Sequence, residues 1–176
     1  MRKIAIFLVV VLCMFSLMWA EEGPYDLTKV DIFSLKKTIT GADISVYGVT
    51  VKTSLSEALK MLNKTEADIA TKGSYRFLEV EPGFKCRLTG DKINALLVSE
   101  KFKPKLKGAT AQLFDNIDTE EKFKTYVTKY FMKPDNYDSS SVAGFENNTI
   151  TYVLGIKFVR FSSREGSTCT MSFQKI

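Results

Sequence analysis

Residues 54–62 read SLSEALKML, and residues 118–131 read DTEEKFKTYVTKYF. Each stretch begins with a residue suited to cap a helix, followed three positions later by a glutamate, which is the pattern of a capping box. Behind each cap, apolar residues recur at intervals of three and four positions, which predicts an amphipathic helix with one buried stripe. The predicted stripes are Leu55, Ala58, Leu59 and Leu62 in the first helix, and Phe123, Tyr126, Val127, Tyr130 and Phe131 in the second.

Three runs with the composition of β-strands follow each predicted helix. Turn-forming pairs such as Pro82-Gly83 and Gly90-Asp91 separate them. We therefore predict an α+β fold of two similar halves, each a capped helix followed by a three-stranded antiparallel meander, with the helices packed on one sheet face. The predicted strands are residues 74–80, 84–88 and 92–99 in the first half, and 149–154, 156–162 and 168–173 in the second.

The predicted organisation has four segments. A signal peptide at 1–20 and an N-terminal segment at 21–43 precede the first α+β half at 44–107 and the second at 108–176, and the two halves share one core. Residues 136–148 are rich in Ser, Asn and Asp, which predicts a long exposed loop.

The N-terminus has the pattern of a secretion signal. Met1-Arg2-Lys3 is followed by an apolar run that ends at Ala20, and polar residues begin at Glu21. An uncleaved membrane anchor is the alternative, although a spanning helix needs roughly 20 apolar residues and this run is shorter. The pattern favours cleavage after Ala20, no membrane span afterwards, and a location in a periplasm or outside the cell.

Two cysteines, Cys86 and Cys169, lie beyond the predicted signal peptide. An even number of cysteines in an exported chain favours a disulfide. The alternative is a pair of buried free thiols.

The tandem pattern resembles the β-lactamase-inhibitor-protein-like fold, which also includes a small lipoprotein of the outer-membrane barrel-assembly machinery. Residues 49–59 and 114–123 carry the resemblance. The chain lacks the lipid-modified cysteine of that lipoprotein, and the resemblance transfers no functional residue. It implies binding to other proteins.

The chain contains no histidine. This excludes Ser-His-Asp and Cys-His nucleophile systems and most transition-metal sites, and we predict no cofactor or metal. Four carboxylates remain as a basis for a small hydrolase or, less well, a calcium site that lacks the spacing of a calcium loop. The structural interpretation is that Asp118 caps the second helix. The four carboxylates are Asp115, Asp118, Glu120 and Glu121.

Basic residues are not concentrated enough to indicate nucleic acid, since the formal net charge is only +5. In an extended segment, the alternation of lysines at 101–107 would place four ammonium groups on one face. That face would suit an anionic glycan or lipid headgroup, or serve as a solvated linker between the halves. The lysines are Lys101, Lys103, Lys105 and Lys107.

The last strands carry apolar residues on both faces. Val153, Val159 and Phe161 oppose the face that packs on the helices, and they are the candidate partner-binding residues. The alternative is that residues 21–45 cover them. We therefore predict an exported, non-enzymatic protein that binds another protein, or an accessory or structural subunit of an envelope or surface assembly. A small carboxylate-dependent hydrolase and a secreted enzyme inhibitor are the alternatives.

Overall fold

A computed structural model of the chain describes residues 23–176. The predicted signal peptide, its cleavage site after Ala20 and Cys13 lie outside the described residues. Within residues 23–176, no helix has the length and apolar character required to cross a membrane.

One large antiparallel sheet dominates the fold. Its eight strands are β3 (Ile69–Lys72), β4 (Tyr75–Glu81), β5 (Phe84–Thr89), β6 (Lys92–Ser99), β7 (Asn136–Val142), β8 (Phe145–Tyr152), β9 (Ile156–Ser163) and β10 (Gly166–Gln174). They follow the order β3-β4-β5-β6-β10-β9-β8-β7, and every neighbouring pair is antiparallel. A separate parallel pair consists of β1 (Tyr25–Asp26) and β2 (Ile44–Ser45). The α+β class is confirmed.

Three α-helices accompany the sheet in the described region: α1 (Leu55–Met61), α2 (Gly108–Gln112) and α3 (Glu120–Tyr130). The predicted capping box of Ser54 and Glu57 is present at α1. Short 3-10 turns occupy Ile32–Ser34, Gly41–Asp43, Glu66–Asp68, Glu100–Lys105 and Leu113–Asp115.

The predicted cap of the second helix is wrong by one residue. Thr119 is the N-cap of α3, and its hydroxyl accepts a hydrogen bond from the amide of Lys122 at 3.3 Å. Asp118 instead forms an ion pair with the Lys122 ammonium at 2.6 Å. Asp and Thr both suit an N-cap, so the sequence alone does not choose between these two neighbours.

Each run of sheet strands contains four members, whereas the sequence predicts three. The additional members are β3 and β7, the two edges of the sheet. The predicted loop at 136–148 is wrong as well, because it contains β7 and the beginning of β8. All residues of β7 except Tyr137 are exposed, so this edge strand lacks the apolar alternation that marks a half-buried strand.

The core lies on one face of the sheet, beneath the helices and the N-terminal segment. The ring of Phe33 packs against the rings of Phe131 at 5.2 Å and Phe158 at 5.8 Å. Phe158 belongs to β9 and Phe33 to the N-terminal segment, so this segment packs on the same face as α3. The described part of the segment, residues 23–45, therefore packs on the inner face, contrary to the alternative in which residues 21–45 cover the opposite face.

A close backbone contact fixes the N-terminal segment against the sheet. The amide of Gly41 donates to the carbonyl of Leu154, and a Cβ on Gly41 would overlap the carbonyl oxygens of Gln174 and Gly155. Only glycine allows this approach, which joins the segment to the turn between β8 and β9 and to the end of β10.

The predicted disulfide is not present. Cys86 and Cys169 are free, buried thiols. Cys86 pairs with Leu96 on β6, and Leu96 pairs with Phe173 on β10, four positions beyond Cys169. Two strand spacings amount to about 9–10 Å, which already exceeds the Cα separation of about 7 Å that a disulfide tolerates. The alternative explanation of the even cysteine count therefore holds: Cys86 and Cys169 are two buried free thiols of the apolar core.

We expect the native protein to have both thiols in an unreactive form. Burial raises the pKa of the Cys86 thiol to about 12, and burial also raises the pKa of Cys169, so little of the reactive thiolate exists at neutral pH. Without reductant, a thiol-specific alkylating reagent should label both residues rapidly in denaturant and only slowly in native protein. Recovery of a peptide linked through Cys86 and Cys169 would contradict the free-thiol structure.

Candidate functional site

The surface of the sheet that faces away from the helices, here called the outer face, is the candidate site. Side chains on β9 alternate between the two faces: Phe158 and Arg160 are buried, whereas Val159 is half-buried and Phe161 is exposed. The predicted alternation along β9 is confirmed. Within residues 23–176, no helix or N-terminal segment covers Phe161, which is 43% exposed.

The structure brings together two of the three candidate partner-binding residues. Val159 and Phe161 are two positions apart on β9, so both belong to the outer face. Val153 lies beyond the end of β8 and is 65% exposed. Phe161 pairs with Asn147 near the other end of β8, so Val153 is separate from the pair.

Phe161 has an aromatic partner that the sequence prediction missed. Its ring stacks on that of Phe145 with centroids 5.6 Å apart and an interplanar angle of 25°. Phe145 is 49% exposed, and its ladder partner Val142 is 72% exposed. We call Val142, Phe145 and Phe161 the aromatic end of the outer face. The signal that would have found Phe145 is the period of two along β8, which places it on the same face as Asn147 and Thr149 and opposite the buried Asn148.

Two hairpin tips position the aromatic end. Ala143 and Gly144 connect β7 to β8, and both have positive φ, 50° and 85°. Positive φ at both positions is what a two-residue hairpin turn requires if its twist is to match the right-handed twist of the strands. A hollow of about 480 Å³ lies between this tip and the tip between β9 and β10. Its lining includes Phe145, Phe161 and Arg164. The aromatic end thus combines an exposed stacked pair with an adjacent depression.

A row of small side chains, three of which carry hydroxyl groups, crosses the middle of the outer face. Thr149 pairs with Val159, Val159 with Thr170, and Thr170 with Ser99, so the row crosses four strands. These side chains are half-buried. Their small size makes this part of the sheet a shallow surface that offers hydrogen-bonding groups.

The end of the outer face formed by β4 and β5 carries cations next to aromatic rings. The Lys85 ammonium lies 4.6 Å from the ring centroid of Phe77, and the Arg87 guanidinium lies 5.8 Å from that of Tyr75. Cation–π contacts of this kind are favourable when the cation lies within about 6 Å of the ring centroid. The two ends of the outer face therefore differ in charge.

Beneath the aromatic end, Arg160 is buried on the inner face, with 1% of its surface exposed. Its Nε donates to the carbonyl of Ile117 at 2.6 Å, and its terminal nitrogens donate to the carbonyl of Asp118 at 2.9 Å, to Glu146 at 3.1 Å and to Asn148. The guanidinium thus joins the segment before α3 to β8 and β9. Because all these hydrogen bonds are made to groups of this chain and hold its elements together, we assign Arg160 a structural role beneath the site.

Three of the four acidic candidates, all except Glu121, have separate partners. Asp115 pairs with Lys103, Asp118 pairs with Lys122, and Glu120 accepts a hydrogen bond from the Tyr137 hydroxyl. The hydrogen bond from Lys122 lowers the pKa of Asp118. A general acid requires the opposite shift.

Among residues 23–176, no three side chains of the kinds His, Cys, Asp and Glu are arranged to hold a metal ion.

The predicted row of four lysines on one extended face is wrong. Residues Glu100–Lys105 form a 3-10 turn with Pro104 inside it. Phe102 and Leu106 are both buried, whereas Pro104 between them is exposed, so the burial does not follow the period of two that a strand would impose. Lys101, Lys103, Lys105 and Lys107 therefore do not share one strand face.

Comparison of the chain with protein-family models, with curated proteins and with solved structures found no match.

Proposed function

We propose that the chain is an exported, non-enzymatic protein that binds another protein through the outer face of its sheet. The observation that carries this proposal is the stacked pair of Phe145 and Phe161, whose side chains remain 49% and 43% exposed in the described region. Aromatic side chains are enriched at protein interfaces and often dominate the binding energy. A stacked pair also presents a large apolar area in a fixed geometry, which lowers the ordering cost of association.

The shape of the rest of the outer face favours a partner with an extended contact surface, such as a protein, over a small molecule. The hydroxyl row beside Val159 is shallow and spans several strands, and protein–protein interfaces bury about 800 Å² on each partner. An apolar patch with a polar surround has the anatomy of such an interface. The partner we propose is a protein of the envelope or of a surface assembly, in which this chain acts as an accessory or structural subunit.

We propose further that the chain consists of two related halves, as in the β-lactamase-inhibitor-protein-like fold it resembles. The strand order supports this idea, because β3 to β6 and β7 to β10 are each consecutive and meet through their last members. A helix also precedes each run: α1 precedes the first and α3 the second. Export, and a place in a periplasm or outside the cell, rest on the signal pattern of residues 1–20.

The separate ion pairs of Asp115 and Asp118 favour binding over the hydrolase alternative. Glycoside hydrolysis by two carboxylates requires that they converge on one bond with a raised pKa on the acid. A secreted enzyme inhibitor is a special case of the proposed function, in which the partner is itself an enzyme. Identification of the partner as an enzyme or as a component of an assembly distinguishes an inhibitor from an accessory subunit.

The substitution Phe161→Asp should leave the protein folded and weaken its association with the partner. A central aromatic anchor contributes about 2–4 kcal/mol to binding, so we expect the dissociation constant to rise at least about 30-fold. Quantitative pull-down from the envelope fraction, with wild type and variant compared by mass spectrometry, should show one protein that is depleted by the substitution. Circular dichroism and thermal melting check the fold.

Met132→Asp is the matched control, because Met132 is 68% exposed and lies next to Phe131 on the helix side. It introduces the same charge in place of a large apolar side chain, and it should retain the partner. A folded Phe161→Asp variant that also retains the partner would eliminate the aromatic end as the binding surface. An unfolded variant would show that Phe161 is required by the core, again contrary to the proposal.

A further inference from the structure

A groove of about 630 Å³ lies where β5, β6 and β10 meet the segment before α1. Its volume falls in the range of small-molecule sites, about 300–1,000 Å³. Four cations line it: Lys52 before α1, Arg87 on β5, Lys92 at the start of β6 and Lys175 after β10. We call this feature the basic groove. It brings together Lys52 and Lys175, which are 123 positions apart in the sequence.

The positive charge of the basic groove is not neutralised within the described residues. None of the four cations makes a salt bridge among residues 23–176, and no carboxylate contributes to the lining. The nearby Glu57 is occupied, because its carboxylate accepts from the hydroxyl and the amide of Ser54. Four uncompensated cations around one concavity attract anions, since concave walls of low dielectric concentrate the field.

The best positioned cation is Arg87. Its Nε donates to the side-chain oxygen of Asn94 at 2.9 Å, and its guanidinium lies 5.8 Å from the ring centroid of Tyr75. Asn94 is itself held by a hydrogen bond to Thr89. The terminal nitrogens of Arg87 have no hydrogen-bond partner among the described residues. A guanidinium held in this way presents its remaining donors in the fork that matches phosphate and carboxylate groups.

Part of the lining is apolar. Val51 and Ile93 contribute to the groove although both are buried. A bare inorganic ion makes no use of such a surface, whereas an organic group attached to the anion would pack on it. The lining therefore suits a ligand with a charged part and a small apolar part.

We propose that the basic groove binds a small organic molecule that carries two or more phosphate-type groups. Two adjacent phosphate groups supply enough negative charge to engage four cations at once, and Arg87 provides the bidentate contact. Lys52, Lys92 and Lys175 act as mobile point charges around the rim. This site is separate from the aromatic end, because Lys92 begins β6 and Lys175 follows β10, whereas Phe145 and Phe161 belong to β8 and β9.

The test is titration of the purified protein with inorganic pyrophosphate, followed by calorimetry and by the rise in melting temperature that a ligand of the native state causes. We expect saturable binding with one site and an affinity that falls with added salt. The double substitution Lys92→Gln and Lys175→Gln should weaken binding at least about tenfold, because it removes two charge-assisted contacts. Both residues are exposed, so the fold should survive. The pair Lys52→Gln and Lys175→Gln provides a second variant with the same expected loss.

Lys157→Gln is the control, since Lys157 lies on β9 outside the groove lining, and it should keep the wild-type affinity. Equal weakening by this control would show non-specific charge attraction and overturn the proposal, as would the absence of saturable binding at millimolar pyrophosphate. Inorganic phosphate and citrate serve as comparators. Phosphate that binds as tightly as pyrophosphate would overturn the requirement for two groups, and tighter binding of citrate would overturn the assignment to phosphate chemistry.

Vesicles that contain an anionic phosphate headgroup distinguish two sources of the same chemistry. Soluble pyrophosphate that prevents vesicle binding would place a lipid headgroup in the groove. Pyrophosphate binding without any vesicle binding would assign the groove to a soluble phosphate compound. Both results support the proposal, whereas vesicle binding that the groove variants do not change would contradict a role of the groove in lipid recognition.

Discussion

Replacing Arg160 with alanine is expected to lower the free energy of unfolding by about 3–5 kcal/mol, the range for breaking a buried charged network. The larger part of this loss comes from stranded acceptors. The side chain of Asn148 is fully buried, and the carbonyl of Ile117 loses its donor Nε. The carbonyl of Asp118 loses Nη2 but keeps the Ser167 hydroxyl as a donor at 3.4 Å. Each buried polar group left without a partner costs about 1–3 kcal/mol. The contact with Glu146 contributes less, because the Glu146 side chain is 52% exposed and exposed ion pairs are weak.

The relative contributions of the hydrogen bonds and of the ion pair of Arg160 can be measured by urea or thermal unfolding of three variants. Arg160→Ala should lower the melting temperature by roughly 6–20 °C, as its loss of stability implies for a chain of this size. Glu146→Gln should change the stability by less than about 1 kcal/mol, and Arg164→Ala, at an exposed position on the same hairpin, should have almost no effect. A large loss for Glu146→Gln would show that the ion pair, rather than the hydrogen bonds to the main chain, carries the stabilisation.

The elements that the sequence predicts correctly are those whose signal is local. The capping box of Ser54 and Glu57 has both members within one helical turn, and its hydrogen bonds do not depend on distant parts of the chain. The alternation of Phe158, Val159 and Arg160 likewise records which side of one strand is buried. In both cases the physical cause and the sequence pattern occupy the same few residues.

Strand β7 shows why other elements escape such prediction. Its Asn-Tyr-Asp-Ser-Ser-Ser-Val sequence lacks strand propensity, and its hydrogen bonds are supplied by β8 through a seven-residue register from Asn136 to Val142. As an edge strand with little burial on either face, it needs no apolar alternation. Polar side chains at an edge also discourage pairing with other chains, so the composition that suggests a loop suits this position.

The candidate sites divide in the same way. Placement of Phe161 on the outer face follows from the alternation within β9, but its stacking on Phe145 depends on the pairing of β8 with β9. The basic groove depends on the adjacency of β6 and β10, which are distant in sequence. No local pattern relates Lys52 to Lys175, so a sequence read without the strand order does not reveal this site.

Replacement of Asp31 by alanine is expected to destabilise the protein by about 2–3 kcal/mol, because one side chain links the N-terminal segment to a helix 78 positions away. The Asp31 carboxylate accepts from the amides of Ala109 at 2.8 Å and Thr110 at 2.9 Å, and from the Thr110 hydroxyl at 2.7 Å. It thereby caps the first turn of α2. Gly108 permits this approach, since a Cβ at that position would overlap the carboxylate.

The same contact should make the stability of the protein depend on pH in a defined direction. Burial by itself raises the pKa of Asp31, but the hydrogen bonds from Ser34, Thr110 and Ala109 outweigh it and lower the pKa below its ordinary value. Because the pKa is lower in the folded than in the unfolded chain, Asp31 contributes its full stabilisation above the unfolded value of about 3.9. That contribution is lost as the pH falls through the lower folded value.

Unfolding in urea at pH 7 and at successively lower pH therefore separates this effect from a simple loss of packing. The stability difference between wild type and Asp31→Ala should be largest at pH 7 and should narrow as the pH falls below about 4, because Asp31 of the unfolded chain is protonated there first and Asp31 of the folded chain only at lower pH. Asp91→Ala is the matched control, since Asp91 is exposed and its side chain has no hydrogen bond or ion pair in the described region; its difference from wild type should stay small at every pH. A difference for Asp31→Ala that does not change between pH 7 and pH 3 would mean that the neutral acid caps α2 as well as the carboxylate does. In that case the charge of Asp31 would not be what holds the N-terminal segment against the helix.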